Sequence, residues 1–102
     1  MNKENIIAHL KKLKPYYKKE GFIIEGLFGS YARNEANTDS DIDILVHTEP
    51  SFTDKYGFMS ISRINEIQVE ISKVLEASVD LASSSGMSKT AQKFIIDKTI
   101  YI

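Results

Sequence analysis

The sequence contains no cysteine and no tryptophan, and only two prolines and five glycines among its 102 residues. Without cysteine the chain can form neither disulfides nor thiolate metal sites, so any bound metal must be held by oxygen or imidazole ligands, which favours hard cations such as Mg2+. No apolar stretch approaches the roughly 20 residues needed to cross a bilayer, and the opening MNKENIIAHLKK lacks the apolar core of a signal peptide. We therefore expect a cytoplasmic protein without membrane contact.

The composition that is present, 42% hydrophobic and 26% charged, is that of a globular protein,. A chain of this length has room for one core, so residues 1–102 are expected to form a single domain. The net charge is −1, yet the first 20 residues carry six lysines against two glutamates. A basic helix can contact nucleic acid. A solvated lysine face is the commoner explanation, and nucleic acid is not expected as a partner.

Hydrophobic spacing predicts alternating helices and strands. The first elements expected are a helix over residues 3–20 that breaks near Lys14 because of Pro15, the strand FIIEGLF, a helical turn after Ser30 and the strand DIDILVH, closed by Pro50,. A loop SFTDKYG is expected next, followed by a long helix from Phe58 with apolar positions that include Ile61 and Val74. The last elements expected are a short strand ASVDLAS, a helix marked by Met87 to Ile95 and a tail TIYI. This order predicts an α/β fold, a small sheet covered by helices.

Two aspartates alternate along the second predicted strand. In DIDILVH, Asp41 and Asp43 share one face of the sheet while Ile42 and Ile44 share the other,. Carboxylates about 6 to 7 Å apart along a strand repel each other unless a cation lies between them. Mg2+ suits such a pair, because it combines a few carboxylates with substrate phosphates. An isolated Asp-x-Asp is weak evidence, since an exposed strand with polar outer residues is the commoner explanation.

Asp80 is a third candidate, a single charge between Val79 and Leu81 in an otherwise apolar strand. If this strand lies beside one of the other two, its carboxylate can join the aspartate pair. Three carboxylates can hold two metal ions about 3.5 to 4 Å apart, an arrangement that supports phosphoryl chemistry. The metal site predicted from these residues therefore requires all three aspartates on one side of the sheet.

Gly29 and Ser30 directly follow the first predicted strand. Glycine permits close backbone approach, and the free N–H groups of a starting helical turn bind phosphate oxygens together with the serine hydroxyl. A Gly-Ser pair alone is an ordinary turn. A strand, Gly-Ser, ten residues and then Asp-x-Asp form a more specific pattern, because it sets a phosphate cradle beside a metal site.

The segment GLFGSYARNEANTDSDIDILV resembles the signature of the polymerase-β-like nucleotidyltransferase superfamily, in which Gly-Ser is followed after ten residues by Asp-x-Asp. GSYAR followed by a glutamate, the chain length and the stretch from ASVDLAS to TIYI are similar, more narrowly, to the minimal nucleotidyltransferase (MNT) antitoxins, which are encoded beside HEPN-type RNase toxins. The resemblance covers nearly the whole chain and implies a small mixed sheet flanked by helices. Asn34 stands where relatives commonly have glycine. Asparagine tolerates the left-handed backbone, so the turn should survive.

The resemblance implies an enzyme that transfers AMP from ATP to an acceptor hydroxyl with loss of pyrophosphate. It implies that Gly29 and Ser30 hold the triphosphate and that three aspartates bind Mg2+, as two ions. These aspartates are Asp41, Asp43 and Asp80, and Asp80 would also help the acceptor hydroxyl lose its proton. Arg33 is a further nucleotide-binding candidate, for which a phosphate-binding and a purely structural role both remain open. Glu35 is expected to be structural.

The acceptor implied is a tyrosine of a cognate HEPN-type toxin, which would make the protein an antitoxin. Two alternatives stay open: a binding module that masks its partner without catalysis, and a nucleotidyltransferase that acts on RNA or a small molecule. Neither histidine is expected to take part, because His9 belongs to a helix and His47 ends a strand.

Overall fold

The computed structural model describes residues 2–37, 40–84 and 98–102. The helices are α1 (Lys3–Lys18), α2 (Gly29–Ala32), α3 (Pro50–Tyr56) and α4 (Ser60–Leu75), with a 3-10 turn at Gly57–Met59 before α4. The strands are β1 (Phe22–Phe28), β2 (Ile42–Thr48), β3 (Val79–Ser83) and β4 (Ile100–Tyr101). The helix predicted from Met87 to Ile95 lies outside the described residues. Over those residues, no helix has the length and apolar character needed to span a bilayer.

The four strands form one mixed sheet in the order β3-β2-β1-β4. β1 is antiparallel to both β2 and β4, whereas β2 and β3 are parallel. Parallel neighbours need a crossover connection, which is usually helical, and α3 and α4 supply it here. The predicted α/β fold with a small mixed sheet is therefore confirmed, and the tail TIYI contributes a short edge strand.

The core lies on one face of the sheet. Residues of β1 and β2 on this face, such as Leu27 and its partner Ile44, are fully buried. The helices cover them with apolar stripes of helical spacing. These stripes consist of Ile6, Leu10 and Tyr17 from α1 and Ile67, Ile71 and Leu75 from α4. Because successive side chains of a strand point to opposite faces, the side chain of Asp43, between Ile42 and Ile44, lies on the face away from this core.

The predicted helix break at Pro15 is wrong, since α1 continues through it as far as Lys18. Proline removes one backbone hydrogen bond, the one to the carbonyl four residues earlier. Pro15 and Lys11 are both exposed, so water can satisfy that carbonyl. Leu10 and Tyr17, which are buried on either side of the proline, hold the two halves of the helix on the same core.

The loop predicted over SFTDKYG is also wrong, because its first six residues belong to α3. Pro50 lies in the first turn of this helix, where its missing N–H has no helical partner to lose,. Phe52 is buried, with its ring 6.0 Å from that of Phe22. The long helix then begins at Ser60 and not at Phe58, which is fully exposed. Ile61 and Val74 are exposed as well and do not belong to the core face of α4.

A polar network joins α1, α3 and α4 at the end of the sheet away from Gly29. Arg63 donates to Glu20 through Nε (2.8 Å) and Nη2 (2.7 Å), and to Glu70 through Nη1 (2.9 Å). The hydroxyls of Tyr17 and Tyr56 donate to Glu70 and Glu20 respectively. The hydrogen bonds from Arg63 hold the pKa of Glu20 below its ordinary value. The hydrogen bond from Tyr17, followed by that from Arg63, does the same for the pKa of Glu70.

Candidate active site

The turn after β1 depends on Gly29, the first residue of α2. Its φ of +77° lies in the left-handed region that side chains rarely adopt,. A Cβ at this position would overlap Oδ2 of Asp43 and lie 2.9 Å from its Cγ. The strand ladder explains the contact, because Phe28 is paired with Asp43 across β1 and β2. Glycine is therefore required for the Asp43 carboxyl to lie against the backbone of this turn.

Ser30 follows within the same short helix and is half-buried. The residue before the helix, Phe28, has no polar side chain that could cap the first N–H groups of α2,. Free N–H groups and a serine hydroxyl are the groups that bind phosphate oxygens in turns of this kind. The predicted cradle of Gly29 and Ser30 thus lies directly beside Asp43.

Strand β3 brings Asp80 next to Asp43. The parallel ladder pairs these two residues, and paired residues on strands about 4.8 Å apart project from the same face of a sheet. Asp41 lies immediately before β2, two residues from Asp43. Asp41 and Asp80 are exposed while Asp43 is half-buried. The register of β2 and β3 thus places Asp43 and Asp80 on the same side of the sheet, as the predicted metal site requires.

The three aspartates interact electrostatically. Burial, and then the charges of Asp80 and Asp41, raise the pKa of Asp43 above its ordinary value, whereas the guanidinium of Arg33 acts in the opposite direction. Like charges at this range disfavour full ionisation unless a cation neutralises them. The site is therefore one in which a bound cation would relieve repulsion.

The aspartates do not form a closed metal cage. In the described part of the chain, no three or more carboxylate and imidazole groups are arranged to hold a metal ion by themselves. Asp41 and Asp80 face solvent, so water and substrate oxygens could reach a cation bound beside them. Mg2+ is commonly bound in this way, through one or two carboxylates together with water and phosphate. The oxygen donors fit a cation that completes its ligand shell with substrate.

Arg33 and Glu35 lie just beyond α2. Nε of Arg33 donates to Oε2 of Glu35 at 3.0 Å. Asn34, between them, has a φ of +58° and so adopts the left-handed backbone expected of it. The sequence contained no direct indication of the contact between Arg33 and Glu35. The one available signal was Asn34, which can adopt the left-handed backbone that brings the two side chains together.

His47 lies on the same sheet face as Asp43, as its position in the strand predicted. Its ring contacts two carboxylates, Glu25 at 3.5 Å from Nδ1 and Glu49 at 3.4 Å from Nε2. The fully buried Leu45 stands between His47 and Asp43 along β2. His9 is a half-buried residue of α1. Neither histidine belongs to the group of residues around Gly29.

A Gly-Ser turn beside aspartates of neighbouring strands is an arrangement suited to binding phosphate groups together with a cation,. The model of the nucleotidyltransferase domain family matches residues 6–102. The chain belongs to this family and is an enzyme of the nucleotidyltransferase class.

Within the family, the chain is similar to proteins named as protein adenylyltransferases. "Putative protein adenylyltransferase MJ0126" of Methanocaldococcus jannaschii is 38% identical over 101 residues, which cover 98% of this chain and 93% of that protein. "Protein adenylyltransferase MntA" of Thermococcus cleftensis is 31% identical over 97 residues, which cover 95% of this chain and 88% of that protein.

Two solved structures share the fold. "Structure of putative minimal nucleotidyltransferase" has a TM-score of 0.78 at 25% identity and covers 100% of this chain and 97% of that one. "Crystal structure of the toxin-antitoxin with AMP-PNP" has a TM-score of 0.63 at 21% identity, covering 99% of this chain and 72% of that one. The likeness to the minimal nucleotidyltransferases and the polymerase-β-like fold expected from the sequence are confirmed.

Proposed function

We propose that this protein transfers AMP from ATP, with Mg2+, to a tyrosine hydroxyl of a cognate HEPN-type RNase toxin and thereby acts as an antitoxin. The observation that carries the proposal is the placement of the Asp43 carboxyl, against the backbone of Gly29 on one side and in register with Asp80 on the other. A metal-bound triphosphate needs this combination of phosphate-binding backbone and carboxylates.

The residues divide into two groups in this proposal. Gly29 and Ser30 bind the triphosphate tail through backbone N–H groups and the serine hydroxyl. Asp41, Asp43 and Asp80 hold Mg2+, with two ions as the arrangement that three carboxylates suit. When bound, Mg2+ would neutralise phosphate charge and relieve the repulsion from Asp80 and Asp41 that, after burial, raises the pKa of Asp43,.

In the transfer, the acceptor oxygen forms a bond to the α-phosphorus of ATP as the bond from that phosphorus to the bridging oxygen of the β-phosphate breaks. Pyrophosphate leaves, and the acceptor becomes an AMP phosphodiester. The proton of the acceptor hydroxyl passes to a carboxylate. We assign this role to Asp80, because it is exposed and lies on β3, the outermost strand beside β2 among the described residues. Asp43 is half-buried beneath the turn.

A protein acceptor is supported by the relatives named as protein adenylyltransferases and by the fold shared with a structure titled as a toxin-antitoxin. Asp80 is also exposed among the described residues, so a macromolecular acceptor could reach its carboxylate. Because ATP is the donor and the toxin is an RNase, both reactants meet in the cytoplasm, where we place the protein.

The proposal is tested by incubating the protein with α-labelled ATP, Mg2+ and the purified toxin encoded beside it. We expect label on a toxin tyrosine, identified by mass spectrometry, and its loss when Asp43→Asn replaces the wild type. Asp54→Asn is the matched control, because Asp54 is an exposed aspartate of α3 outside the site. This variant should transfer AMP like the wild type.

The other outcomes distinguish the alternatives. Tight complex formation without label transfer would leave only masking of the toxin. Labelling of RNA or of an aminoglycoside in parallel reactions, with the toxin unlabelled, would assign a different acceptor. Transfer that survives Asp43→Asn would contradict the proposed role of Asp43, and with it the observation on which the proposal rests.

A further inference from the structure

The segment after α2 folds back onto the Gly-Ser turn. The backbone N–H of Arg33 donates to the carbonyl of Gly29 at 3.2 Å, and that of Glu35 donates to the carbonyl of Ser30 at 2.9 Å. The left-handed Asn34 reverses the chain after Arg33, so that the N–H of Glu35 can reach Ser30,. Arg33 and Glu35 are therefore tied by their backbones to the two residues of the candidate phosphate cradle.

The side chains of Arg33 and Glu35 form an exposed ion pair at the edge of this cradle. The pair is a single contact, from Nε to Oε2 at 3.0 Å, and the side chains are 44% and 64% exposed. Among the described residues no hydrogen bond engages the terminal Nη groups of Arg33. Exposed pairs of this kind are weak, so the guanidinium can be withdrawn from Glu35 at little cost.

Arg33 also lies near the aspartate site. Its backbone is bonded to Gly29, and the Asp43 carboxyl lies against the backbone of the same glycine. The guanidinium therefore begins from the turn at which the triphosphate is proposed to bind.

We infer that Glu35 is a positioning residue: it holds Arg33 beside the Gly-Ser turn in the nucleotide-free protein and competes with the triphosphate for the guanidinium. When a triphosphate occupies the turn, Arg33 exchanges one carboxylate contact for phosphate oxygens, to which the planar guanidinium can donate two parallel hydrogen bonds. Glu35 therefore sets how tightly the nucleotide binds. The inference rests on the proposed function only in requiring a triphosphate at this turn.

The test measures binding of two probes by calorimetry, the Mg2+ complex of a non-hydrolysable ATP analogue and inorganic triphosphate with Mg2+. Glu35→Gln should bind both about two- to fivefold more tightly than the wild type, the range expected for release of an exposed ion pair. Arg33→Gln should bind about tenfold more weakly or worse. In the Arg33→Gln background, Glu35→Gln should bring no such gain.

Glu66→Gln is the matched control. Glu66 is 65% exposed and pairs with Arg63 at 3.2 Å, so this variant loses the same charge and the same type of contact on α4. It should leave the affinity unchanged. In label transfer, Glu35→Gln should lower KM for ATP while kcat is retained, a split that a purely structural role for Glu35 would not produce.

Three results would overturn the inference: unchanged or weaker binding by Glu35→Gln, equal tightening by Glu66→Gln, or equal tightening in the Arg33→Gln background. Either of the last two results would mean that the tighter binding comes from the change in overall charge and not from release of Arg33. A wild type that binds the probes but transfers no AMP would refute the proposed function alone. A wild type that transfers AMP while Glu35→Gln leaves affinity unchanged would refute this inference alone.

Discussion

Replacing Gly29 by alanine tests whether AMP transfer depends on the position of the Asp43 carboxyl, apart from any change in the stability of the fold. The added Cβ would overlap Oδ2 of Asp43 and lie 2.9 Å from its Cγ. Ordinary carbon contacts begin near 3.5 Å, so the carboxyl must retreat by about 1 Å. Displacement of a reacting group by that distance costs roughly 100-fold in rate. We therefore expect Gly29→Ala to reduce label transfer by about two orders of magnitude.

Gly57→Ala provides the control for backbone strain. Gly57 also has a positive φ, +53°, but a Cβ there would have nothing within 4 Å. A non-glycine residue held in such a conformation costs about 1 to 3 kcal/mol. Both variants should therefore lose stability through backbone strain, while only Gly29→Ala also displaces a carboxylate of the site.

The assay combines urea unfolding with initial rates of AMP transfer, measured at a temperature where both variants are folded. The reasoning predicts a loss of stability in both variants and an activity loss confined to Gly29→Ala. It would be refuted by a folded Gly29→Ala variant with wild-type rates, or by an equal loss of activity in Gly57→Ala, since that glycine touches no catalytic group.

Three further substitutions test other parts of the structure. Asp43→Asn should raise the thermal midpoint near neutral pH in the absence of Mg2+. A carboxyl whose pKa is raised in the folded state costs stability as the pH rises through that pKa,, so the difference should close in acid and vanish with Mg2+ bound to the wild type. Arg63→Met should cost about 2 kcal/mol in urea unfolding. Because the pKa of Glu20 is lowered by Arg63, this stabilisation is present above the unfolded value of about 4.3 and is lost as the pH falls through the folded pKa. Gly26→Ala would place a Cβ 2.7 Å from Cγ2 of Thr99, and it should increase hydrogen exchange of β4 by displacing that strand.

Much of the fold followed from hydrophobic spacing. The strands around Leu27 and Ile44 and the long helix were predicted because their apolar residues repeat with the period of the element. Both prolines misled the prediction for one reason: the cost of a proline depends on what surrounds it. The carbonyl released by Pro15 belongs to the exposed Lys11, and Pro50 lies in a first turn where a backbone N–H has no helical partner,. Sequence alone does not show either circumstance.

Contacts between site residues that are close in the chain could be predicted from the sequence more readily than contacts between distant ones. Gly29, Ser30 and the Asp-x-Asp pair are linked by a fixed spacing, so their meeting required only two adjacent strands. The alignment of Asp80 with Asp43 depends on the register of the parallel strands, in which Ile42 is also paired with Val79 on the opposite face. The crossover connection through α4 makes this parallel pairing possible. The contact of Glu35 with Arg33 depends on the left-handed backbone of Asn34 and has no periodic signal.

The strand order gives Asp43 a different neighbour on each side. β1 lies on one side of β2 and leads into Gly29 and Ser30, whereas β3 lies on the other side and carries Asp80. A triphosphate bound at the turn and an acceptor hydroxyl near Asp80 would therefore lie on opposite sides of the Asp43 carboxylate. In-line phosphoryl chemistry needs the attacking and leaving oxygens on opposite sides of phosphorus. The proposed transfer is compatible with this strand order, because donor and acceptor then reach the aspartates from different strands and do not compete for the same space.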